Sequence, residues 1–126
     1  MTTNVSHVED CIFCKIINKT IPSTIVYEDT DFIGILDIHP MSPGHTLIIP
    51  KKHYRWVWDI PNAGAFFEVV KKIALAQKKA FSTDFVISKI VGDEIHHAHM
   101  WVYPGEKVTG NRTDFKINAE KLIKNL

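Results

Sequence analysis

The stretch His97-Ala98-His99-Met100-Trp101 decides how this chain is interpreted, because its residues alternate as the residues of a β-strand do. Successive side chains of a strand point to opposite faces. The two histidines and the tryptophan would therefore share one face, with the alanine and the methionine pointing into a core. Strand rise would place the two imidazoles roughly 7 Å apart. A single histidine in a strand is usually structural, but two on the same face predict a chemical site.

The residues on either side of this stretch predict a mixed fold with an antiparallel sheet. Polar turns separate short apolar runs that are typical of strands, at 24–28, 32–36, 45–49, 85–91 and 97–103. Apolar residues at helical spacing predict helices at 11–18, with Asp10 as N-cap, at 62–81 and at 118–126. Because hairpins connect the strands, we predict an α+β domain over 10–126, preceded by a flexible tail at 1–9.

Composition narrows the possible partners. The 126 residues contain 15 Lys plus Arg and 14 Asp plus Glu, a formal charge of +1. That balance argues against nucleic-acid binding by bulk electrostatics. The first ten residues contain no apolar signal region, and no apolar run is long enough to span a membrane. We therefore predict a cytoplasmic protein with no membrane partner.

The pair Cys11-x-x-Cys14 and the clustered histidines leave two chemistries open. In a reducing compartment such a pair is a metal site or a redox site, and no strand precedes it as in thioredoxin-like proteins. Zinc could bind both His97 and His99 and activate a water molecule. Alternatively, a neutral imidazole could itself attack phosphorus. The residue types alone do not choose between these mechanisms.

Five motifs in a fixed order resemble the histidine-triad (HIT) family. They are Cys11-Ile-Phe-Cys-Lys-Ile-Ile, Ile21-Pro-Ser-Thr-Ile-Val-Tyr-Glu-Asp, Leu36-Asp-Ile-His-Pro, Pro43-Gly-His-Thr-Leu-Ile-Ile-Pro-Lys-Lys-His53, and the stretch 92–104. The block that ends at His53 is the most specific of them. The resemblance implies a HIT fold with a five-stranded antiparallel sheet, a main helix and short terminal helices, together with a homodimer.

The resemblance also implies roles for individual residues. His99 matches the nucleophile that takes up a nucleotidyl group, and His45 matches a histidine beside the α-phosphate. Asp37 matches the acid that binds the ribose hydroxyls, although an aspartate here could also only cap a turn. The matches to the apolar slot for the base are Ile12, Phe13, Ile16, Ile21 and Ile35, which would otherwise be read as core residues. We expect a purine nucleotide as substrate.

The resemblance implies that the metal is a structural zinc ion. In family members with a Cys-x-x-Cys motif, zinc is held by positions that match Cys11, Cys14, His53 and His97. All four positions are intact here, and two cysteines with two histidines form a normal closed zinc site. The implied zinc would fix the end of the strand that carries His99.

Two departures from the family pattern affect the expected activity. Trp101 occupies the third position of the triad, where it would be a catalytic-site residue or only a pocket wall with His45 or water supplying a proton. The loop at 88–93 is short and lacks the family's Asn-Gly stretch, and Ser88 or Lys89 could replace its phosphate ligands. We expect a hydrolase or nucleotidyl transferase that acts on phosphoramidates, acyl-nucleotides or dinucleoside polyphosphates. The alternative is a nucleotide-binding regulatory protein with little catalysis.

Overall fold

The computed structural model describes residues 10–126, which contain one sheet and three α-helices. The strands are β1 (Ile25–Glu28), β2 (Phe32–Leu36), β3 (Thr46–Pro50), β4 (Val86–Ile90) and β5 (Met100–Pro104). The helices are α1 (Ile12–Ile17), α2 (Ala63–Ala80) and α3 (Phe115–Lys124), with a 3-10 turn at Val57–Asp59. All neighbouring strands are antiparallel, in the order β1-β2-β3-β5-β4. The predicted α+β fold with a five-stranded antiparallel sheet is confirmed. The predicted tail at 1–9 lies outside the described residues.

The sheet buries both of its faces, because strand residues alternate between two apolar clusters. In β2, Phe32 and Leu36 pack with α2 and α3 in the larger cluster. The intervening Ile33 and Ile35 pack on the other face in a smaller cluster with residues of α1. The short helix α1 therefore covers one face, and the face it covers is the one that carries the candidate site.

The helix α2 has the amphipathic pattern that the sequence predicts, and it also holds the sheet by a polar contact. Phe66, Val70, Ile73 and Gln77 are buried along one face, whereas Ala80 is only partly buried. The side-chain amide of Gln77 donates hydrogen bonds to the carbonyls of Gly44 (2.9 Å) and Val102 (2.8 Å). These bonds fix the start of β3 against the middle of β5. Gly44 itself has a φ of +84°, and a Cβ there would lie 2.4 Å from the ring of Phe81.

Three local predictions are wrong, and two of them concern β5 and α1. The fifth strand begins at Met100, because the preceding residues leave the ladder and the N–H of Ala98 donates to the carbonyl of Tyr54 (2.7 Å). The alternation survives this change, since Ala98 and Met100 are still buried together in the larger cluster. The N-cap of α1 is Cys11 rather than Asp10: its sulfur accepts the backbone N–H of Cys14 at 3.3 Å.

The third helix begins three residues earlier than predicted, at Phe115, where the carboxylate of Asp114 accepts the N–H of Ile117 (3.2 Å) as an N-cap. Within residues 10–126, no helix has the length and apolar character needed to cross a membrane.

Candidate functional site

Two cysteines and two histidines from three separate segments form a compact group. Cys11 and Cys14 lie at the start of α1, His53 follows β3, and His97 precedes β5. One ligand atom from each residue lies within 4.8 Å of the other three. Nδ1 of His97 is 3.2 Å from Sγ of Cys11, and Nδ1 of His53 is 3.5 Å from Sγ of Cys14. The sequence contains two cysteines, and no disulfide joins them in the described residues. A set of two thiolates and two imidazoles at these separations fits a tetrahedral zinc ion.

The surroundings of the two histidines also suit metal binding. Nε2 of His97 lies 2.8 Å from the carbonyl of Pro50, so this nitrogen carries the proton and Nδ1 is left as the ligand atom. Such a hydrogen bond to the second ring nitrogen is the usual outer support of a metal-bound histidine. Burial lowers the pKa of His53, and a hydrogen bond to the backbone of His96 partly offsets this shift. A lowered pKa favours the neutral ring, which is the form that binds metal.

The imidazole of His99 is arranged as a nucleophile. Its Nδ1 donates to the carbonyl of His97 at 2.7 Å, which leaves the lone pair on Nε2. Burial lowers the pKa of His99, which favours the neutral ring. The ring of Phe13 packs edge-on against it at 5.0 Å between centroids. A neutral imidazole with an oriented lone pair is the species that can attack phosphorus.

His45 and Asp37 lie side by side at the two ends of the loop between β2 and β3. The backbone N–H of Asp37 donates to the carbonyl of His45 (3.0 Å), which closes this loop. Oδ1 of Asp37 accepts the N–H of His39 (2.9 Å), so the turn-capping role considered for this residue does occur. Oδ2 remains directed at Nε2 of His45, at 3.6 Å. One carboxylate oxygen therefore shapes the loop while the other faces the imidazole.

The protonation of His45 follows from its contacts. Its Nδ1 accepts the backbone N–H of Met41 (3.0 Å), which requires the proton to be on Nε2. Burial, with a smaller contribution from Lys89 and against the opposing effect of Asp37, lowers the pKa of His45 to about 4. Within residues 10–126, the buried Nε2 has no hydrogen-bond partner. His45 is therefore a neutral N–H donor without an acceptor, beside a carboxylate.

Aromatic rings and one lysine form the wall beside His45. Its ring lies 5.1 Å from that of Trp101 and 4.8 Å from that of Tyr103. Lys89 pairs with Trp101 in the β4–β5 ladder, and its ammonium nitrogen lies 5.9 Å from the Trp101 ring centre. Ser88 pairs with Val102 and so belongs to the other face. Of the two residues considered as phosphate ligands, only Lys89 lies on the site's face.

The five residues assigned to the base slot do not all lie together. Phe13, Ile16 and Ile35 are buried in the cluster beneath α1, and Ile21 packs against that cluster. Ile12 is 44% exposed and lies outside it. Four of the five residues therefore share one apolar cluster, whereas Ile12 lies outside it.

Sequence reasoning missed two residues of this region. Tyr103 could have been found, because it lies two residues after Trp101 and so shares its face. Arg55 gave no such signal, because it lies in an irregular segment between His53 and the 3-10 turn. Its guanidinium carbon is 4.0 Å from the ring centre of Trp56, and its charge contributes to the lowered pKa of His99.

The sequence pattern of the HIT domain matches residues 18–108 of this chain. A HIT-like protein of Methanocaldococcus jannaschii is 33% identical, over 92% of this chain and 98% of that protein. The adenylylsulfatase HINT3 of Arabidopsis thaliana is 37% identical, over 75% of this chain and 52% of the plant protein.

Solved structures show the same fold. A Hit-like protein from Bartonella henselae superposes with a TM-score of 0.81 at 37% identity, over 95% of this chain and 99% of that one. A zinc-bound histidine triad protein from Mycobacterium smegmatis has a TM-score of 0.74 at 30% identity, over 91% of this chain and 94% of that one. The bound zinc in the mycobacterial protein is consistent with the group of two cysteines and two histidines described above.

Proposed function

Because this chain belongs to the HIT domain family, we propose that it cleaves a nucleoside monophosphate from its substituent through a nucleotidyl intermediate on His99. The family includes nucleotide hydrolases such as the plant adenylylsulfatase. The observation that carries the proposal is the bond from Nδ1 of His99 to the His97 carbonyl, because it leaves a neutral nucleophile at Nε2. Phosphoramidates, acyl-nucleotides and dinucleoside polyphosphates are the substrate classes.

The reaction has two steps on phosphorus. The lone pair of His99 Nε2 attacks the α-phosphorus, and the bond to the leaving group breaks as the N–P bond forms. The leaving group departs with its electron pair and takes up a proton. Water then attacks phosphorus and loses a proton, the N–P bond breaks, and the nucleoside monophosphate is released. If another acceptor takes the place of water, it carries the nucleotidyl group away and loses the proton instead. His45 would donate its Nε2–H to a phosphate oxygen, because this buried donor has no acceptor in residues 10–126.

The remaining groups bind and position the nucleotide in this scheme. Oδ2 of Asp37, which faces His45, would accept the ribose hydroxyls, and the apolar cluster around Phe13 and Ile16 would hold a purine base. A zinc ion on Cys11, Cys14, His53 and His97 would have a structural role, since all four of its positions are taken by protein. It would thereby hold His97, whose carbonyl orients His99.

The second candidate function is nucleotide binding with little catalysis, which the tryptophan at the third triad position favours. One experiment separates the two. Brief mixing with a panel of adenylylated substrates, followed by mass spectrometry under denaturing conditions, should reveal an added AMP on His99. Nucleotide binding without an adduct for any leaving group would leave the binding protein as the better description.

The proposal extends to the setting of the protein. Reduced cysteines that bind zinc suit the cytoplasm, and we place the protein there as a homodimer. Residues 10–126 would form a single HIT domain in each subunit. Neither nucleic acid nor a membrane is part of the proposed function.

We expect Trp101 to limit which leaving groups are accepted. An indole N–H donates a hydrogen bond but cannot supply an acidic proton. His45 is a poor substitute, because a pKa of about 4 leaves it without an acidic proton near neutral pH. Positioned general acid catalysis contributes roughly 10²–10⁴-fold. Acyl or aryl phosphates should therefore react well, and amine leaving groups in phosphoramidates should react slowly.

The measurement compares wild type with Trp101→His on an amine-leaving and an aryl-leaving substrate. The new imidazole should increase the rate of cleavage of the amine-leaving substrate far more than that of the aryl-leaving substrate. Trp101→Phe is the matched control, because it keeps an aromatic wall without restoring an acid. Equal changes for both substrates in Trp101→His would remove Trp101 from leaving-group selection.

Asp37→Asn should weaken the binding of ribonucleotides more than the binding of 2′-deoxynucleotides. Asparagine retains an oxygen that can accept the N–H of His39, so the turn is kept and only the carboxylate is lost. A hydrogen bond to a charged group contributes about 1.5–3 kcal/mol, so AMP affinity should fall roughly 10- to 100-fold. Titration calorimetry with AMP and 2′-deoxy-AMP measures both losses. Losses of the same size would exclude Asp37 from the ribose site.

A further inference from the structure

The guanidinium of Arg55 is held in place without an anionic partner. Its planar group stacks on Trp56 at 4.0 Å. Within residues 10–126, no carboxylate oxygen lies within 4.0 Å of it. Its Nη1 is buried and has no hydrogen-bond partner in that part of the chain. A buried donor of a charged group without an acceptor is costly, and an anionic ligand would remove that cost.

A backbone hydrogen bond joins the segment that contains Arg55 to the segment that contains the nucleophile. The bond from Ala98 N–H to the Tyr54 carbonyl joins the two segments, and the side chains of both residues are buried in the larger cluster on the α2 face. The next residues in the two segments are Arg55 and His99.

The short loop before the histidines packs directly on the guanidinium of Arg55. Gly92 is buried against Arg55 and Trp56, and a Cβ at this position would lie 3.0 Å from Nη1 of Arg55 and 2.5 Å from Cζ3 of Trp56. Only a residue without a side chain allows the loop to approach so closely. The loop that lacks the family's Asn-Gly stretch therefore lies against an arginine to which residues 10–126 offer no carboxylate partner.

We propose that Arg55 binds the α-phosphate of the nucleotide and replaces the phosphate ligands that the short loop lacks. This inference rests on the proposed function, because it is the phosphate attacked by His99 that would lie within reach. The fork of N–H donors in a guanidinium matches two phosphate oxygens. Stacking on Trp56 holds the fork in one orientation, and its charge would offset the negative charge that gathers on those oxygens during attack.

The test compares Arg55→Gln, Arg55→Lys and a control, Lys71→Gln, which removes a charge from the exposed side of α2. Titration calorimetry measures the affinity of each protein for AMP and for adenosine. Arg55→Gln should bind AMP roughly 10- to 100-fold more weakly than wild type, as expected for a lost charge-assisted contact, with adenosine affinity nearly unchanged. The AMP affinity of Arg55→Lys should lie between those of wild type and Arg55→Gln, because lysine keeps the charge but not the fork of N–H donors. Lys71→Gln should match wild type.

The outcomes separate this inference from the function on which it rests. If Arg55→Gln loses affinity for AMP and adenosine equally, or binds both as wild type does, Arg55 is not a phosphate ligand. A wild-type protein that binds AMP no better than adenosine would also overturn the inference. If the AMP-specific loss is found but wild type forms no nucleotidyl adduct with any substrate, Arg55 stands as a phosphate ligand and the proposed catalysis fails.

Discussion

Cys11→Ser protein should be purified without its zinc ion and should unfold well below the temperature at which the wild type unfolds. Wild type should contain one zinc ion per chain. The proposed ligands come from the start of α1, from the segment after β3 and from the segment before β5, so a zinc ion would tie together parts of the chain that are distant in sequence. Metal binding of this kind contributes directly to folding free energy. The free energy of unfolding of domains of this size is only about 5–15 kcal/mol. A loss of a few kcal/mol should therefore lower Tm by about 10 °C or more.

Serine is chosen at this position because Cys11 has a second role. Its sulfur accepts the Cys14 N–H as the N-cap of α1. Serine is a good N-cap residue, whereas alanine is not, and the difference is typically about 1 kcal/mol. Cys11→Ser therefore removes the thiolate while keeping a cap, and Cys11→Ala removes both. Both variants should lose zinc, and the alanine variant should be slightly less stable.

Metal analysis and thermal unfolding with and without a chelator give the measurement. Chelation should lower the Tm of wild type and leave that of Cys11→Ser unchanged, because the variant has no zinc to lose. A wild type that is equally stable without metal would contradict the structural role of zinc. So would a native Cys11–Cys14 disulfide in protein purified under reducing conditions.

The metal site illustrates what a single sequence can and cannot predict. Cys11 and Cys14 lie three residues apart, so their joint role is visible as a motif. His97 is 86 residues from Cys11, and His53 is 39 residues from Cys14. No local periodicity connects residues at such separations, so the complete ligand set came from resemblance and not from spacing. The sheet, by contrast, followed from alternation and turn residues, because those patterns are local.

The start of β5 was predicted wrongly and Arg55 was not predicted at all, and both failures have the same physical cause. The residues before Met100 alternate as strand residues do, yet their backbone pairs with Tyr54 in an irregular segment. That segment also contains Arg55, and nothing in its pattern indicates which way a side chain points. Tertiary contacts between two loops decide both positions, and such contacts leave no signature in a local stretch of sequence.

His99→Ala should lose roughly 10⁴-fold or more in kcat, since a covalent nucleophile is replaced by a methyl group. AMP affinity should remain measurable, because the base, ribose and phosphate contacts proposed for Phe13, Asp37 and Arg55 are retained. His96→Ala is the matched control: it removes an exposed imidazole from the same segment and keeps the backbone that bonds to His53. It should turn over substrate as wild type does.

The decisive measurement distinguishes His99 from a metal-bound water as the attacking group. If His99 attacks, a quenched reaction of wild type should contain an AMP adduct that is absent from His99→Ala. The AMP should be attached to Nε2, because Nδ1 donates a hydrogen bond to the His97 carbonyl. If water on zinc attacks instead, no adduct forms and His99→Ala keeps much of its activity. Because a zinc ion held by all four proposed ligands would have no open position for water, we expect the adduct. Turnover in His99→Ala within about tenfold of wild type would contradict covalent catalysis by this residue, since removal of a nucleophile costs far more than this.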